Sequence, residues 1–426
     1  MNPFSLLLTF LPLVFIGSAT GQNRDVGKQF ASFVGPGGLS EPLDVFAVDS
    51  EKQLLIGEER HTIGAGFQPS VVMDHEGTIH VFFQARLGGS GDRLPKLIAH
   101  VTSRDGGASW SEPRFVNTVP MQTYAMSAFL RTTPEGTKRI SVLTSLSIDE
   151  TIERLEDPEL IQRRLGIDVT KFSRRAATLV LEFYSDDQGE TWQRKEHFGL
   201  SDRVYQRNGR DYYLAFINLI GQVRRVETGP YEGRLLLGGP LRGDYLPCAD
   251  HPHFRDYPPS SSIIYSDDDG QSWEFGGVIN DESAFQHNEA SAVAVNDGQQ
   301  VLLVRRNNSR DATGKMTHLS HDGGETWEDG YVSNIAATRC LQVLETHGEW
   351  VLCSAPGTRD RTHGTIYFSR DGGKNWTPKV IEEGPFSYST VNRLSGDYLI
   401  CCYSRAHHGE QGIAARIFSV KWLENE

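Results

Sequence analysis

SRDGGASW (Ser103–Trp110), SDDQGETW (Ser185–Trp192), SDDDGQSW (Ser266–Trp273), SHDGGETW (Ser320–Trp327) and SRDGGKNW (Ser369–Trp376) are five copies of one octapeptide, Ser-x-Asp-x-Gly-x-x-Trp. Five of the seven tryptophans in the chain close such a box, so the box is a structural unit and the chain is a repeat protein. The chemistry of the octapeptide is that of a turn. The Ser hydroxyl and the Asp carboxylate bond the backbone just ahead of them. Gly supplies a positive φ without steric cost, and Trp offers a large apolar face to a neighbouring strand. Short β-rich runs flank each box, LIAHVTS before the first and SIIYS before the third. Each box therefore reads as a hairpin turn in a small antiparallel sheet. Asp-rich turns also bind calcium, but five repetitions of the same turn favour the structural reading.

The boxes are 82, 81, 54 and 49 residues apart, and the two shorter gaps suit a four-stranded blade with short loops. Strand counting places blades at about Gly64–Ser111, Met121–Gln193, Asp211–Gly277, Glu289–Gly330 and Ala336–Thr377. The tail, Tyr388–Trp422, supplies three strands, and the early run Pro42–Ile56 offers a fourth. Joining the two termini in one blade closes the ring and removes open sheet edges. The expectation is an all-β, six-bladed β-propeller over residues 42–426, with an N-terminal strand completing the last blade and residues 22–41 leading into it. A stacked β-sandwich is the alternative, disfavoured by turns at blade-like spacing. The long gaps carry insertions. Asp149–Gly166 is charged, periodic and rich in helix formers, with Pro158 dividing it, and predicts a short helical excursion. Asp244–Ser262, rich in Pro and aromatic residues, predicts a long ordered loop of the kind that lines a cleft.

The net charge of −13 argues against nucleic acid or an anionic membrane as partner, and an anionic substrate would need a locally cationic pocket. Phe4–Gly17 is an apolar run too short to span a bilayer, followed by the small residues Ser18–Gly21. Residues 1–21 thus read as a secretory signal peptide cleaved after Gly21, which implies a secreted or periplasmic protein; an uncleaved anchor is the alternative, since the run has no basic residue ahead of it. No other stretch is apolar enough to cross a membrane. The five cysteines have no metal-ligand spacing. Cys340 and Cys353 flank a predicted hairpin and would face each other there. They are read as buried small apolar side chains in preference to a cross-strand disulfide.

The octapeptide resembles the Asp box of sialidases, and the resemblance to exo-sialidases extends over roughly residues 64–405. HVFFQARLGGSGDR, from His80, is similar to the family stretch ending in Glu/Gln-x-Arg with an Asp in the following loop, which makes Arg86 a substrate-binding residue and Asp92 the acid/base. EGRLLLGGPLRG, from Glu232, resembles the Gly-Arg-Leu stretch of the third blade, and Arg234 is read as structural. HNEASAVAVNDGQQVLLVRRNNS, from His287, is similar to the family pair of strands that opens with Asn-Glu and closes with Arg-Asn. It implies Glu289 as the base and Arg306 as a substrate-carboxylate ligand, with Arg305 as the fallback because the turn carries one extra residue. SAPGTRDRTHGTIYFSRDGG, from Ser354, resembles the run that places an Arg eight residues before the fifth box; Arg361 has that spacing and Arg359 is its near neighbour. PFSYSTVNRLSGDYLICCYSR, from Pro385, resembles the stretch that carries the Tyr nucleophile, here Tyr388.

One departure stands out. The family opens its first blade with Tyr-Arg-Ile-Pro, whose Arg completes a three-arginine clamp on the substrate carboxylate. The aligned stretch here is GFQPS, with Phe67 at the Arg position. The resemblance implies a glycoside hydrolase acting on a terminal acidic sugar of a glycan or glycoconjugate, with no metal or organic cofactor. The gap at Phe67 leaves open a propeller glycosidase or lyase for a different acidic sugar, or a carbohydrate-binding propeller without catalysis.

Overall fold

The computed structural model describes residues 26–49, 51–56, 59–92, 94–120, 123–147, 178–197, 200, 204–207, 210–217, 219, 221–245, 260–279, 289–307, 309, 311–405 and 411–425. Six small antiparallel sheets form a ring, and the protein is a six-bladed β-propeller. Blade four shows the plan in its simplest form. Its strands run from the axis outward as Ala290–Val295, Gln300–Arg305, Gly314–Ser320 and Tyr331–Ala336. Blade five repeats it with Val343–His347, Trp350–Pro356, Thr362–Ser369 and Thr377–Pro385. In blade six Ser389–Arg393, Tyr398–Ser404 and Ile413–Ser419 are completed by Leu43–Phe46, which pairs with Ile413–Ala415. The ring closes as expected, although only Leu43–Phe46 of the Pro42–Ile56 run serves it. Gln53–Ile56 turns instead into blade one, pairing with the start of Glu59–Met73.

Blade three departs from the plan. Its sheet has six strands, because the hairpin Val204–Arg207 and Arg210–Ile217 extends it, and its axial strand is reduced to Arg224–Arg225. The ends of the predicted cleft loop are strand: Leu235–Tyr245 reaches into it and Ser260–Ser266 begins inside it. The rest of that loop, the predicted helical excursion at 149–166 and the apolar run at 4–17 lie outside the described residues. Within the described residues no helix is long and apolar enough to cross a membrane. The helix Val26–Val34 buries Phe30 against Tyr398 at the seam between blades one and six.

Every box connects the third and fourth strands of its blade. In the first, the Ser103 hydroxyl donates to Asp105 Oδ1 at 2.8 Å, the Gly107 amide donates to Ser103 Oγ at 2.7 Å, and the Ser109 amide donates to Asp105 Oδ1 at 2.9 Å. The same three bonds recur in the other four. The second carboxylate oxygen is taken by the seventh residue, Thr191 in the second box and Asn375 in the fifth, so each box Asp is spent on its own turn. The glycine has positive φ in all five copies, and so does the residue before it, including Gln188 at 60° and Asp269 at 57°. The Trp then packs on the preceding blade, as Trp273 does edge-on to Phe129 and Trp192 to Phe82.

The axis is filled by polar side chains that stitch the inner strands together. Arg224 reaches from blade three to blades five and six, donating to the carbonyls of Leu344 at 2.7 Å and Val391 at 2.5 Å and to the Glu345 carboxylate at 2.6 Å. Gln222 accepts from the Ser70 hydroxyl at 2.6 Å and donates to the Ala128 carbonyl, and Asn392 donates to the Val71 carbonyl at 2.9 Å. Burial lowers the Arg224 guanidinium to about 10, with Glu345 opposing the shift. Breaking a buried ion pair from one side leaves a charge short of its partner, at a cost of about 3–5 kcal/mol. Arg224→Leu should therefore lower the free energy of unfolding by that order in urea titrations, whereas substitution of the exposed Arg370 should change it little.

Candidate active site

Inner strands of a blade begin at one end of the ring, second strands return to it, and third strands leave it for the end that carries the boxes. Glu289 stands immediately before Ala290–Val295, and Tyr388 immediately before Ser389–Arg393. Arg86 lies near the end of the second strand Ile79–Leu87, and Arg306 directly follows Gln300–Arg305. Arg361 ends the turn that leads into Thr362–Ser369 and has φ 63°. The same topology therefore delivers all five side chains to the end of the axis opposite the boxes.

Tyr388 is buried and donates its hydroxyl to Glu289 Oε1. Arg306 Nη1 donates to Glu289 Oε2 at 3.0 Å and to the Tyr388 hydroxyl at 3.3 Å, and its amide bonds the Glu289 carbonyl at 2.8 Å. The structure brings Arg306 to this group. Arg305 is fully buried on the other side of its strand, where Nε donates to His318 at 3.0 Å. Arg361 has its guanidinium 5.5 Å from the Tyr388 ring centre and is held by Ser387 Oγ at 3.1 Å and the Arg339 carbonyl at 3.0 Å. Arg359 is turned to the Ala312 carbonyl at 3.2 Å. Burial and the neighbouring Glu289 push the Tyr388 phenol well above its ordinary value, with Arg306 pulling the other way. Against the cost of burial, Glu289 and Tyr388 raise the Arg306 guanidinium and keep it charged.

Phe67 belongs to this group as well. Its ring centre is 4.5 Å from that of Tyr388, and the two share a buried apolar cluster with Cys340, Leu341 and Val343. The Arg86 guanidinium stacks over Phe67 at 3.9 Å from the ring centre. Arg86 donates to the Ser90 carbonyl and pairs with Asp92 at 2.8 Å. Asp92 is 89% exposed and Arg86 only 6%, so in this arrangement the loop carboxylate is held by the guanidinium rather than placed beside Tyr388.

Two residues of the site carried no signal that we read as functional. Lys315 is fully buried in Gly314–Ser320 and donates to the carbonyls of Cys340 at 2.7 Å and Thr338 at 3.1 Å. It pins the segment whose Arg339 carbonyl orients Arg361. Burial lowers its ammonium to about 8. The structure buries every position of its strand, GKMTHLS. Cys340, predicted to face Cys353 across a hairpin, lies three residues before Val343–His347 and packs on Phe67 and Tyr388. Cys353 pairs with Leu344, and both thiols are free and buried. Arg234, read as structural, bonds Asp267 of the third box at 2.7 Å.

Arg86, Arg306 and Arg361 stand beside two carboxylates, Glu289 and Asp92, with Lys315 buried behind them, so this group is cationic within a chain of net charge −13. Such a site has the charge to accept an anion, and its phenol–carboxylate pair can move a proton from Tyr388 to Glu289.

Residues 164–400 match the BNR repeat-like domain. The chain belongs to that family. It is 24% identical over 256 residues to the anhydrosialidase of Macrobdella decora, covering 57% of this chain and 30% of that protein. It is also 24% identical over 264 residues to the sialidase of Clostridium perfringens, covering 61% of this chain and 59% of that protein. The chain thus spans less than two thirds of either relative. The Hadza microbial sialidase Hz136 superposes with a TM-score of 0.60 at 18% identity, over 84% of this chain and 66% of that one.

Glu289 is the buried carboxylate partner of the half-buried Arg306. Glu289→Ala takes that charge away and should cost about 3–5 kcal/mol of stability, while Glu289→Gln, which keeps a hydrogen-bond acceptor, should cost less. Parallel urea titrations of the two variants give the comparison.

Proposed function

We propose that this protein is a secreted glycoside hydrolase of sialidase type that releases a terminal acidic sugar with retention of configuration. The observation that carries the proposal is the buried Tyr388 hydroxyl donating to Glu289 between Arg306 and Arg361. A carboxylate nucleophile would be repelled by a carboxylate on the anomeric carbon of the substrate, and a neutral phenol is not. The upward shift of Tyr388 keeps it neutral at rest. In this scheme the substrate carboxylate binds Arg306 and Arg361, and Tyr388 attacks the anomeric carbon as its proton passes to Glu289. Asp92 protonates the leaving oxygen and afterwards activates the water that hydrolyses the glycosyl-tyrosine. The names of the relatives, anhydrosialidase and sialidase, support the same substrate class.

A second reading keeps the chemistry and changes the sugar. Phe67 is seated against Tyr388, in the place that the sequence resemblance assigns to a clamp arginine. Loss of one charge-assisted contact weakens carboxylate binding by about 1.5–3 kcal/mol, and an aromatic ring adds apolar surface for a pyranose face. Ordinary sialosides are then poor substrates, and another acidic or deoxy sugar is the better one.

A panel of chromogenic acidic glycosides that includes a sialoside tests both readings. Tyr388→Phe should abolish turnover of every substrate of the wild type while the melting temperature is kept. Near-normal activity of that variant would make Tyr388 a packing residue only. Phe67→Arg should shift preference toward the sialoside, read as the ratio of kcat/KM values. Efficient hydrolysis of a simple sialoside by the wild type would rule out the second reading.

A further inference from the structure

The inner strand of blade one has a ring, Phe67, where the clamp guanidinium would stand, and the Arg86 guanidinium lies directly over that ring. We infer that Arg86 is the third arm for the substrate carboxylate, and that Asp92 is a built-in stand-in for that carboxylate which substrate displaces. This inference rests on the acidic-sugar reading above.

Three features carry it. First, the pair is asymmetric: the Arg86 side chain is 6% exposed and its Asp92 partner 89%. A buried guanidinium stripped of its carboxylate would be costly, but exchange of one carboxylate for another leaves it paired throughout. The displaced Asp92 passes into water that it already faces. Second, Arg86 Nε–H is buried and has no acceptor, so the guanidinium has a donor in reserve for a second carboxylate oxygen. Third, the loop backbone around Asp92 is tied down independently of its carboxylate. The Ser90 carbonyl accepts from Arg86, and buried Lys96 donates to the carbonyls of Asp92 at 2.5 Å and Leu94 at 3.2 Å. Asp92 can therefore leave by side-chain rotation while the loop stays in place. The Phe67 ring joins the guanidinium to Tyr388, whose ring also has Arg361 at 5.5 Å and whose hydroxyl has Arg306 at 3.3 Å.

The exchange also orders the chemistry. Asp92 is released for acid–base work only when a carboxylate has taken its place on Arg86, so acidic and neutral sugars are told apart by the same contact.

The test is calorimetric titration of sialic acid, glucuronic acid and the methyl ester of each into the wild type, Asp92→Asn, Arg86→Met and the double variant. Asp92→Asn removes the internal competitor and should tighten the acid that the wild type binds by about 5-fold, equivalent to about 1 kcal/mol. Arg86→Met should weaken that acid at least about 10-fold and abolish the gain from Asp92→Asn in the double variant. The ester should respond to neither change. Unchanged or weaker acid binding by Asp92→Asn overturns the exchange, as does an equal loss of acid and ester in Arg86→Met. Should Arg86→Met fail to fold, Arg86→Lys, which keeps the charge and loses the fork, should still weaken the acid selectively. Preference of the wild type for the esters over the acids would defeat the acidic-sugar reading itself, an outcome distinct from acid binding that Asp92→Asn fails to tighten.

Discussion

The guanidinium of Arg224 crosses the axis of the ring, and the geometry of both ends depends on it. Blade three has almost no inner strand, only Arg224–Arg225, so the backbone pairing that defines the inner wall elsewhere is missing there. The side chain replaces it. One planar cation satisfies carbonyls of blades five and six and the Glu345 carboxylate together, which fixes the separation of three blades with donors of fixed direction. Arg224 and Glu345 also line a cavity of about 440 Å³ at the box end of the axis. The candidate site lies at the other end, where inner strands begin.

That separation allows one end to specialise. At the box end, chemistry is spent on turns: both oxygens of each box carboxylate are engaged by the box itself. At the other end, strand starts and strand returns gather side chains from blades one, four, five and six within a few ångströms. Burial would make this costly for any single charge. The charges are instead paired or tied to carbonyls: Arg306 with Glu289, Arg86 with Asp92, Arg361 with the Arg339 carbonyl, Lys315 with the segment behind it. The resulting cationic site is fixed in advance of any ligand, which limits the ordering that binding would require.

Much of this was legible in the amino-acid sequence, for reasons that differ by element. The boxes were legible because their chemistry is local: Ser, Asp and Gly act on a turn within five residues. The seventh position, always Ser, Thr or Asn, belongs to the same code and was passed over because its partner is a side chain, not the backbone. Ring closure followed from counting strands, but counting could not show that Gln53–Ile56 pairs with blade one. Arg305 and Arg306 are adjacent, and only strand register decides which of them points to the axis end. Cys353 pairs with Leu344, four residues beyond Cys340, a shift of register that hydrophobic pattern does not reveal. Lys315 serves through carbonyls of a distant segment, a contact without any sequence signature.

In the reaction we propose, Phe67 ties the choice of sugar to the reactivity of Tyr388. A guanidinium at that position would add a cation near the phenol and favour its ionised form, whereas a ring in contact with it removes water and favours the neutral form. Phe67, Leu341 and Cys340 give Tyr388 an apolar surround, and Arg306 supplies the opposing cation. A phenol kept neutral in this way, acting as the proposed nucleophile, depends more heavily on a base. The direct bond from the Tyr388 hydroxyl to Glu289 supplies that base before substrate arrives. On this proposal, the Phe67 that stands where the resemblance places a clamp arginine also moves the burden of activating the phenol onto Glu289, and the two features are to be expected together.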